Sequence, residues 1–484
     1  MTAWEKTLSQ AEQIKDRSGK LHQRKKRELM DKTHGSMRNM TEGSPTGHIL
    51  AFAMPLVLGS LLQQLYNMVD SWVVGNFVGS GALAAVGMAF PVMAMFLSLF
   101  IGIGNGGTVV IAQFFGAGHM DKVRDTVDSI YTAFVVCIIP ITVLAVVLVE
   151  PIMGLMQVEA SAWEETRIYL MIIGLGMIGN VGYNITAGIL SGLGNSKSTL
   201  LFLGIAAVIN TVLDLAFVLL FGMGVVGVAL ATIIAQAISW IFSLFYVNRN
   251  YPEIAIHPFS FRFSRNLFAQ VMKIGIPSGL QMAMTSMGVM SVMSKANSFG
   301  KEFTAGYNVG GKIDTVTFLF IQSVSSAVTA FVGQNIGAQK LDRVRKGVNA
   351  SVLLAIGWCF LTMVLIIPFR SDLVGIFSPE PEVIYAGSCY LKAIMLGYPL
   401  FAGMFILNAA LRGAGDSVFP MVTTTIAMII LRVPCVYWMA DRFGSGAMFW
   451  GFLPGWAVGI SMAFWEYLSG RWKRHAVLPD ETDG

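Results

Sequence analysis

The chain is 484 residues long, 55% hydrophobic and only 13% charged, with a formal net charge of +5 and a mean hydropathy of +0.65. Soluble domains carry about a quarter charged residues, so this composition excludes an ordinary soluble domain and points to a polytopic helical membrane protein, each span of which must satisfy its own backbone away from water. The four cysteines, Cys137, Cys359, Cys389 and Cys435, sit in apolar stretches without CxxC or Cys/His spacing, which argues against a disulfide framework or a zinc site.

Residues 1–45 read as a basic tail. It contains Arg24-Lys25-Lys26-Arg27 and has no apolar core of a signal peptide. We expect it to be disordered and cytoplasmic, with anionic lipid as a partner and no nucleic-acid module. Twelve mainly apolar segments of spanning length follow: 48–77, 84–115, 126–149, 164–188, 198–221, 226–247, 267–299, 304–333, 347–369, 382–409, 418–439 and 447–469. The hydrophilic stretch 249–266, with Pro252 and Pro258, reads as a linker between an N-lobe (46–248) and a C-lobe (267–470), and 471–484 as a short tail.

An even number of spans puts both ends on one side. Loops on that side carry most of the loop Lys and Arg, among them Lys122, Arg124, Arg249, Lys273, Lys340, Arg343, Arg345, Arg412 and Arg471. The opposite loops carry Arg167, Lys301, Arg370 and Arg442, with Glu150, Glu159, Glu164, Glu165, Glu380 and Glu382. This bias predicts cytoplasmic termini.

The second half repeats the first at an offset of about 221 residues. Gly192-Leu193-Gly194-Asn195-Ser196 answers Gly413-Ala414-Gly415-Asp416-Ser417. Gln113, Gly116, Ala117, Asp121, Val123 and Arg124 answer Gln334, Gly337, Ala338, Asp342, Val344 and Arg345. Pro55 answers Pro277 to within one residue. Two six-span copies that start on the same side are parallel repeats about an axis along the membrane normal, an architecture that places a substrate cavity between lobes. The glycine loops lack a Walker lysine and read as tight turns.

The ordered set of twelve spans, paired Gly-x-Gly-[Asn/Asp]-Ser loops and paired Gln-Gly-Ala-Asp-Val-Arg elements resembles the multidrug and toxic compound extrusion (MATE) transporters over residues 46–470. Tyr66-Asn67-Met68-Val69-Asp70 and Asn210-Thr211-Val212-Leu213-Asp214 also look like motifs of that family. The resemblance implies an all-α fold of twelve transmembrane helices in two six-helix lobes related by pseudo-two-fold symmetry. It also implies secondary active export of organic, often cationic and amphipathic, drug-like compounds across the plasma membrane. H⁺ or Na⁺ would be the coupling ion, and neither a cofactor nor an enzymatic activity is expected. A monomer is expected.

Ionisable groups inside a membrane are costly and need a role or a partner. The N-lobe offers Asp70 and Asp214, and Asn210 and Asp214 share one helix face. Their residue types suit oxygen ligation of Na⁺ or a carboxyl that carries a proton. The resemblance assigns Asp70, Asn210, Asp214 and Thr232 to cation coupling, with Tyr66 and Asn184 as neighbours and Pro55 as a helix bend. The repeat sharpens this reading: position 70 maps to Ser291 and position 214 to Cys435, so the acids are absent from the second copy.

The C-lobe carries Lys295, Lys312, Asp314, Lys392 and Arg432 instead. Asp314 is either a second coupling or substrate carboxylate or the counter-ion of a lysine or Arg432. Gln281 and Met287 are candidate cavity residues. A lipid-linked saccharide flippase of related topology is the alternative function, and it predicts a positive N-lobe face.

Overall fold

A computed structural model describes residues 37–155, 163–258 and 260–477, with the backbone alone at 80–86, 88–96, 99 and 155. The Arg24–Arg27 cluster and Glu159 lie outside the described residues.

The described residues form an all-helical bundle. In the first half, α1 (Pro45–Val73) continues into a π-helical turn (Val74–Val78). It is followed by α2 (Ser80–Gly116), α3 (Met120–Val147), the short α4 (Val149–Leu155), α5 (Trp163–Leu175), α6 (Met177–Gly192), α7 (Ser196–Leu215) with a second π turn (Ala216–Leu220), and α8 (Gly224–Asn250). The second half comprises α9 (Arg265–Asn297), α10 (Lys301–Gly337), α11 (Leu341–Ile366), the short α12 (Arg370–Gly375), α13 (Pro381–Gly413), α14 (Val418–Thr425) with a third π turn (Ile426–Leu431), α15 (Arg432–Phe443) and α16 (Phe452–Ser469).

Nine helices among the described residues are long and apolar enough to cross a membrane. The pair α5 and α6, bent by 49° at Gly176, brings the number to ten. Two further long helices, α2 and α9, stand where spans two and seven were expected. Of α2, only Phe100–Gly116 registers as an apolar helix among the described residues. Helix α9 carries Arg265, Gln270, Lys273, Gln281 and Lys295, and these polar residues lower its apolarity.

The repeat is visible in the hydrogen bonds. Thr108 Oγ1 donates to the Gly188 carbonyl at 2.8 Å, and Thr329 Oγ1 donates to the carbonyl of Ala409 at 3.3 Å. Donors and acceptors of the two bonds are related by the same offset. The halves are also cross-braced. Ile49, Phe52, Ala53 and Val57 at the start of α1 belong to the hydrophobic core of the second half, against α10 and α11. Leu267, Val271 and Ile274 at the start of α9 belong to the core of the first half, against α2 and α3. A lobe boundary drawn at the linker alone misses this exchange, because each lobe's first helix begins on the other lobe's core.

Helices α2 and α10 cross at backbone contact near their C-terminal ends. A Cβ on Gly116 would run into the carbonyl of Gln334, and one on Gly337 into the carbonyl of Gln113. Only glycine permits that approach. The last residues of the expected tail, 37–44, are packed rather than free: Met40 is fully buried and Ser44 caps α1 through its side chain. The linker is also packed, with Tyr251, Ile254 and Ile256 buried in the first-half core.

Candidate functional site

The N-lobe candidates converge. Tyr66 and Asp70 lie one turn apart on α1, and Asn210 and Asp214 one turn apart on α7, which packs along α1. The Asp70 and Asp214 carboxyls face each other within hydrogen-bonding reach. Both are buried, at 8% and 1% exposure. Asp70 Oδ1, both Asp214 oxygens and Asn210 Oδ1 find no donor among the described residues.

Two ionised carboxylates cannot share such a place, and a proton or a metal cation between them removes the conflict. Thr232 on α8 receives the Asn210 amide at 3.5 Å and itself donates to the Val228 carbonyl at 3.0 Å, which fixes its hydroxyl. Tyr169 on α5, absent from the sequence-derived set, approaches both acids. Nothing in the spacing along the chain links residue 169 to 70 and 214; only the packing of α5 does.

A π turn follows each acid, starting at Val74 after Asp70 and at Ala216 after Asp214, and the two turns pack on each other. Such turns add a residue to the helical repeat and recur at functional sites. Pro55 lies inside α1, which remains one helix through it. The proline deprives the Ala51 carbonyl of its usual donor.

Beside the acids, a cavity of about 540 Å³ runs between the halves. Tyr66, Asn184, Asn210 and Thr232 line it from one side, and Gln281, Met282, Thr285 and Ser286 of α9 from the other. Asp70 and Asp214 stand behind its wall. Met287 is not part of the lining and is 53% exposed. It is one residue, and so about 100° of helix rotation, beyond Ser286.

Arg412 also lines the cavity, with Nη1 donating to Gln281 Oε1 at 3.0 Å. Its count among the loop basic residues is therefore corrected: the side chain points into the protein.

The C-lobe acid has a different setting. Asp314 Oδ2 accepts from Tyr390 Oη at 2.6 Å and Tyr398 Oη at 3.0 Å, both from α13. Asp314 makes no direct ion pair among the described residues. Arg432 stacks over the Phe452 ring at 3.9 Å and acts on Asp314 only through space, while Lys312 is exposed. Tyr390 and Tyr398 are eight residues apart, two turns on one face, a signal available in the sequence once Asp314 is the question. Lys295 pairs with Asp441 at 2.5 Å near the end of α9.

At the end of the bundle where residues 38–43 and 475–477 pack, the two halves are clamped together. Gln113 Nε2 donates to the Gly413 carbonyl at 3.1 Å, and its Oε1 accepts from the Val477 amide at 2.7 Å. The repeat-related Gln334 donates to the Gly192 carbonyl at 3.0 Å and accepts from the Met40 amide at 2.9 Å. Each glutamine thus ties a glycine loop of the opposite half to a segment flanking the bundle, at Val477 or Met40. Gly194 and Gly415 have positive φ (+76° and +102°), and a Cβ there would strike the backbone of Arg38 and His475 respectively. Asn335, Lys340 and Arg343 add further bonds to residues 40–43.

The MatE family model matches the chain twice, over residues 55–216 and 277–438, more than half of its length. The chain belongs to the MatE family. It is a secondary active multidrug efflux transporter of that family, working by alternating access, and not an enzyme.

Among relatives, the chain is 31% identical over 437 residues to the probable multidrug resistance protein YpnP of Bacillus subtilis, covering 90% of this chain and 97% of that one. It is 27% identical over 446 residues to the probable multidrug resistance protein NorM of Thermotoga maritima, covering 90% and 94%. Among solved structures, a MOP superfamily transporter from Pyrococcus furiosus matches with a TM-score of 0.84 at 21% identity, covering 90% of this chain and 98% of that one. The double family match falls on the two copies read from the sequence. The N-lobe side of the cavity lining carries no Lys or Arg among the described residues, so the positive face that a pyrophosphate flippase requires is missing.

Proposed function

We propose that this MatE-family transporter exports organic compounds through the cavity between its halves in exchange for H⁺ or Na⁺ bound at Asp70 and Asp214. The observation that carries the reading is the pair of facing, buried carboxyls without donors, set one layer behind Tyr66 and Asn210 of the cavity wall. Twelve spans and cytoplasmic termini, which the loop charge favours, complete the scheme. On that orientation the cavity here is closed toward the cytoplasm by the Gln113 and Gln334 clamps and belongs to the outward-facing state.

Coupling requires an ion whose affinity differs between the two states. Asp70 on α1 and Asp214 on α7 supply that difference if α1 moves relative to α7. Together the carboxyls hold a proton; apart, each is free to ionise. A bound Na⁺ would draw on the same carboxyls and on the unpartnered Asn210 Oδ1.

The test is efflux of a fluorescent dye from proteoliposomes under separately imposed H⁺ and Na⁺ gradients. We expect one gradient to drive efflux in the wild type and neither to drive it in Asp70→Asn. An undiminished gradient dependence in that variant removes Asp70 from the scheme.

A further inference from the structure

The floor of the cavity has a charge that the ion site does not explain. Arg412 is the cavity's cationic lining residue, and the lining contains no Asp or Glu among the described residues. A guanidinium has five N–H donors. One nitrogen of Arg412 bonds to Gln281 Oε1, and Gln281 is itself held by its amide donating to Thr424 Oγ1 at 2.7 Å. The remaining donors have no acceptor among the described residues, and the side chain lines the cavity.

One turn earlier on α13, Asn408 also lines the cavity. It is 2% exposed, and neither its oxygen nor its nitrogen has a partner among the described residues. Residues four apart share a helix face, so an unsatisfied amide and an unpaired guanidinium stand together at the end of the cavity nearest the clamps.

The repeat provides the control. Position 412 maps to Ser191, which lines the same cavity and uses its hydroxyl on the Ala187 carbonyl at 2.7 Å. Helix termination before the glycine loop therefore does not require an arginine. A cationic cargo here would meet an unpaired like charge with no carboxylate in the lining, whereas an oxyanion would find a charge-assisted partner of matching geometry.

We propose that Arg412, with Asn408 and Gln281, forms an oxyanion subsite, and that the preferred cargo is an organic compound bearing a carboxylate or phosphate rather than an organic cation. This rests on the export reading above for the route but not for the binding. Tyr66, Tyr183, Phe318 and Phe405, also in the lining, supply faces for a flat ring attached to that group.

The experiment uses one fluorophore carrying, in turn, a carboxylate, a phosphate ester, a neutral amide or an amine. Its binding to the purified full-length protein in detergent is followed by anisotropy. In the wild type at least one oxyanion derivative is expected to bind about tenfold or more tighter than the amide, the size of one charge-assisted hydrogen bond, and the amine weaker still. The carboxylate and phosphate arms show which oxyanion is preferred. Arg412→Gln should erase the ratio and Arg412→Lys restore part of it. Asn408→Leu, which leaves the charge in place, should reduce it and serves if the arginine variants do not fold.

Amide or amine binding as tight as the oxyanions, absence of binding by both oxyanions, or a ratio unchanged in Arg412→Gln overturns the subsite. Gradient-driven flux of the same dyes separates the two readings. Oxyanion binding without flux defeats the export scheme alone, and flux of the amine without oxyanion binding defeats the subsite alone.

Discussion

The two lobes each bury acid in the membrane, yet they treat it in opposite ways. Asp314 of the second half has one oxygen, Oδ2, held by two tyrosine hydroxyls within an aromatic wall that includes Tyr307 and Phe449. Asp70 and Asp214 of the first half face each other with their outer oxygens unanswered. A carboxyl to which the fold supplies two donors has less to gain from an ion. A pair left open by the fold gains much. What distinguishes the lobes is therefore the provision of donors rather than the presence of acid.

That contrast can be broken most directly at the open pair. Asp214→Asn, like Asp70→Asn, should reduce gradient-driven dye efflux to the level seen without a gradient, because an ion with no differential affinity shifts no equilibrium. Retained coupling in both variants would end the comparison.

The next largest effect should be on stability at the closed acid. Asp314→Leu strands two buried hydroxyls, each costing about 1–3 kcal/mol. Thermal unfolding in detergent should fall clearly while coupling, measured on the folded fraction, persists. Loss of coupling with unchanged stability would show that Asp314 belongs with the first pair.

Smaller again is Tyr390→Phe, which leaves the Tyr398 bond in place and should cost about 1–2 kcal/mol without altering the driving ion.

The smallest effect is a difference between the two clamps. Gln113→Ala removes the Val477 bond, while Gln334→Ala leaves residues 40–43 held by Asn335, Lys340 and Arg343. Cysteine accessibility from the terminal side should therefore rise more for Gln113→Ala, by about tenfold at most. Equal rises would mean that the two termini contribute alike.

Much of this arrangement can be read from the residues. Acids stand out in an apolar run, so Asp70 and Asp214 are visible, and their absence from the second copy singles them out. The paired glutamines and glycines are visible as a repeat, although the sequence presents them as turn and fold elements. Their role as clamps depends on which loop each glutamine reaches, and both reach across to the other half.

Arg412 illustrates the limit. Next to a glycine loop it resembles any loop cation, and only the bond to Gln281, 131 residues away, shows that it points inward. Asp314 is similar, because its partners Tyr390 and Tyr398 lie 76 and 84 residues away on α13, and only the packing of α13 places them beside it. Helical phase decides the remaining case: Met287 is adjacent in sequence to a cavity residue and lies outside the cavity.

The docking of residues 38–43 and 475–477 against the glycine loops has a practical corollary. These two segments are natural reporters of which way the transporter faces. Slowed deuterium uptake at the amides of Met40 and Val477 would mark the closed terminal side, and faster uptake its opening, with no label placed in the cavity.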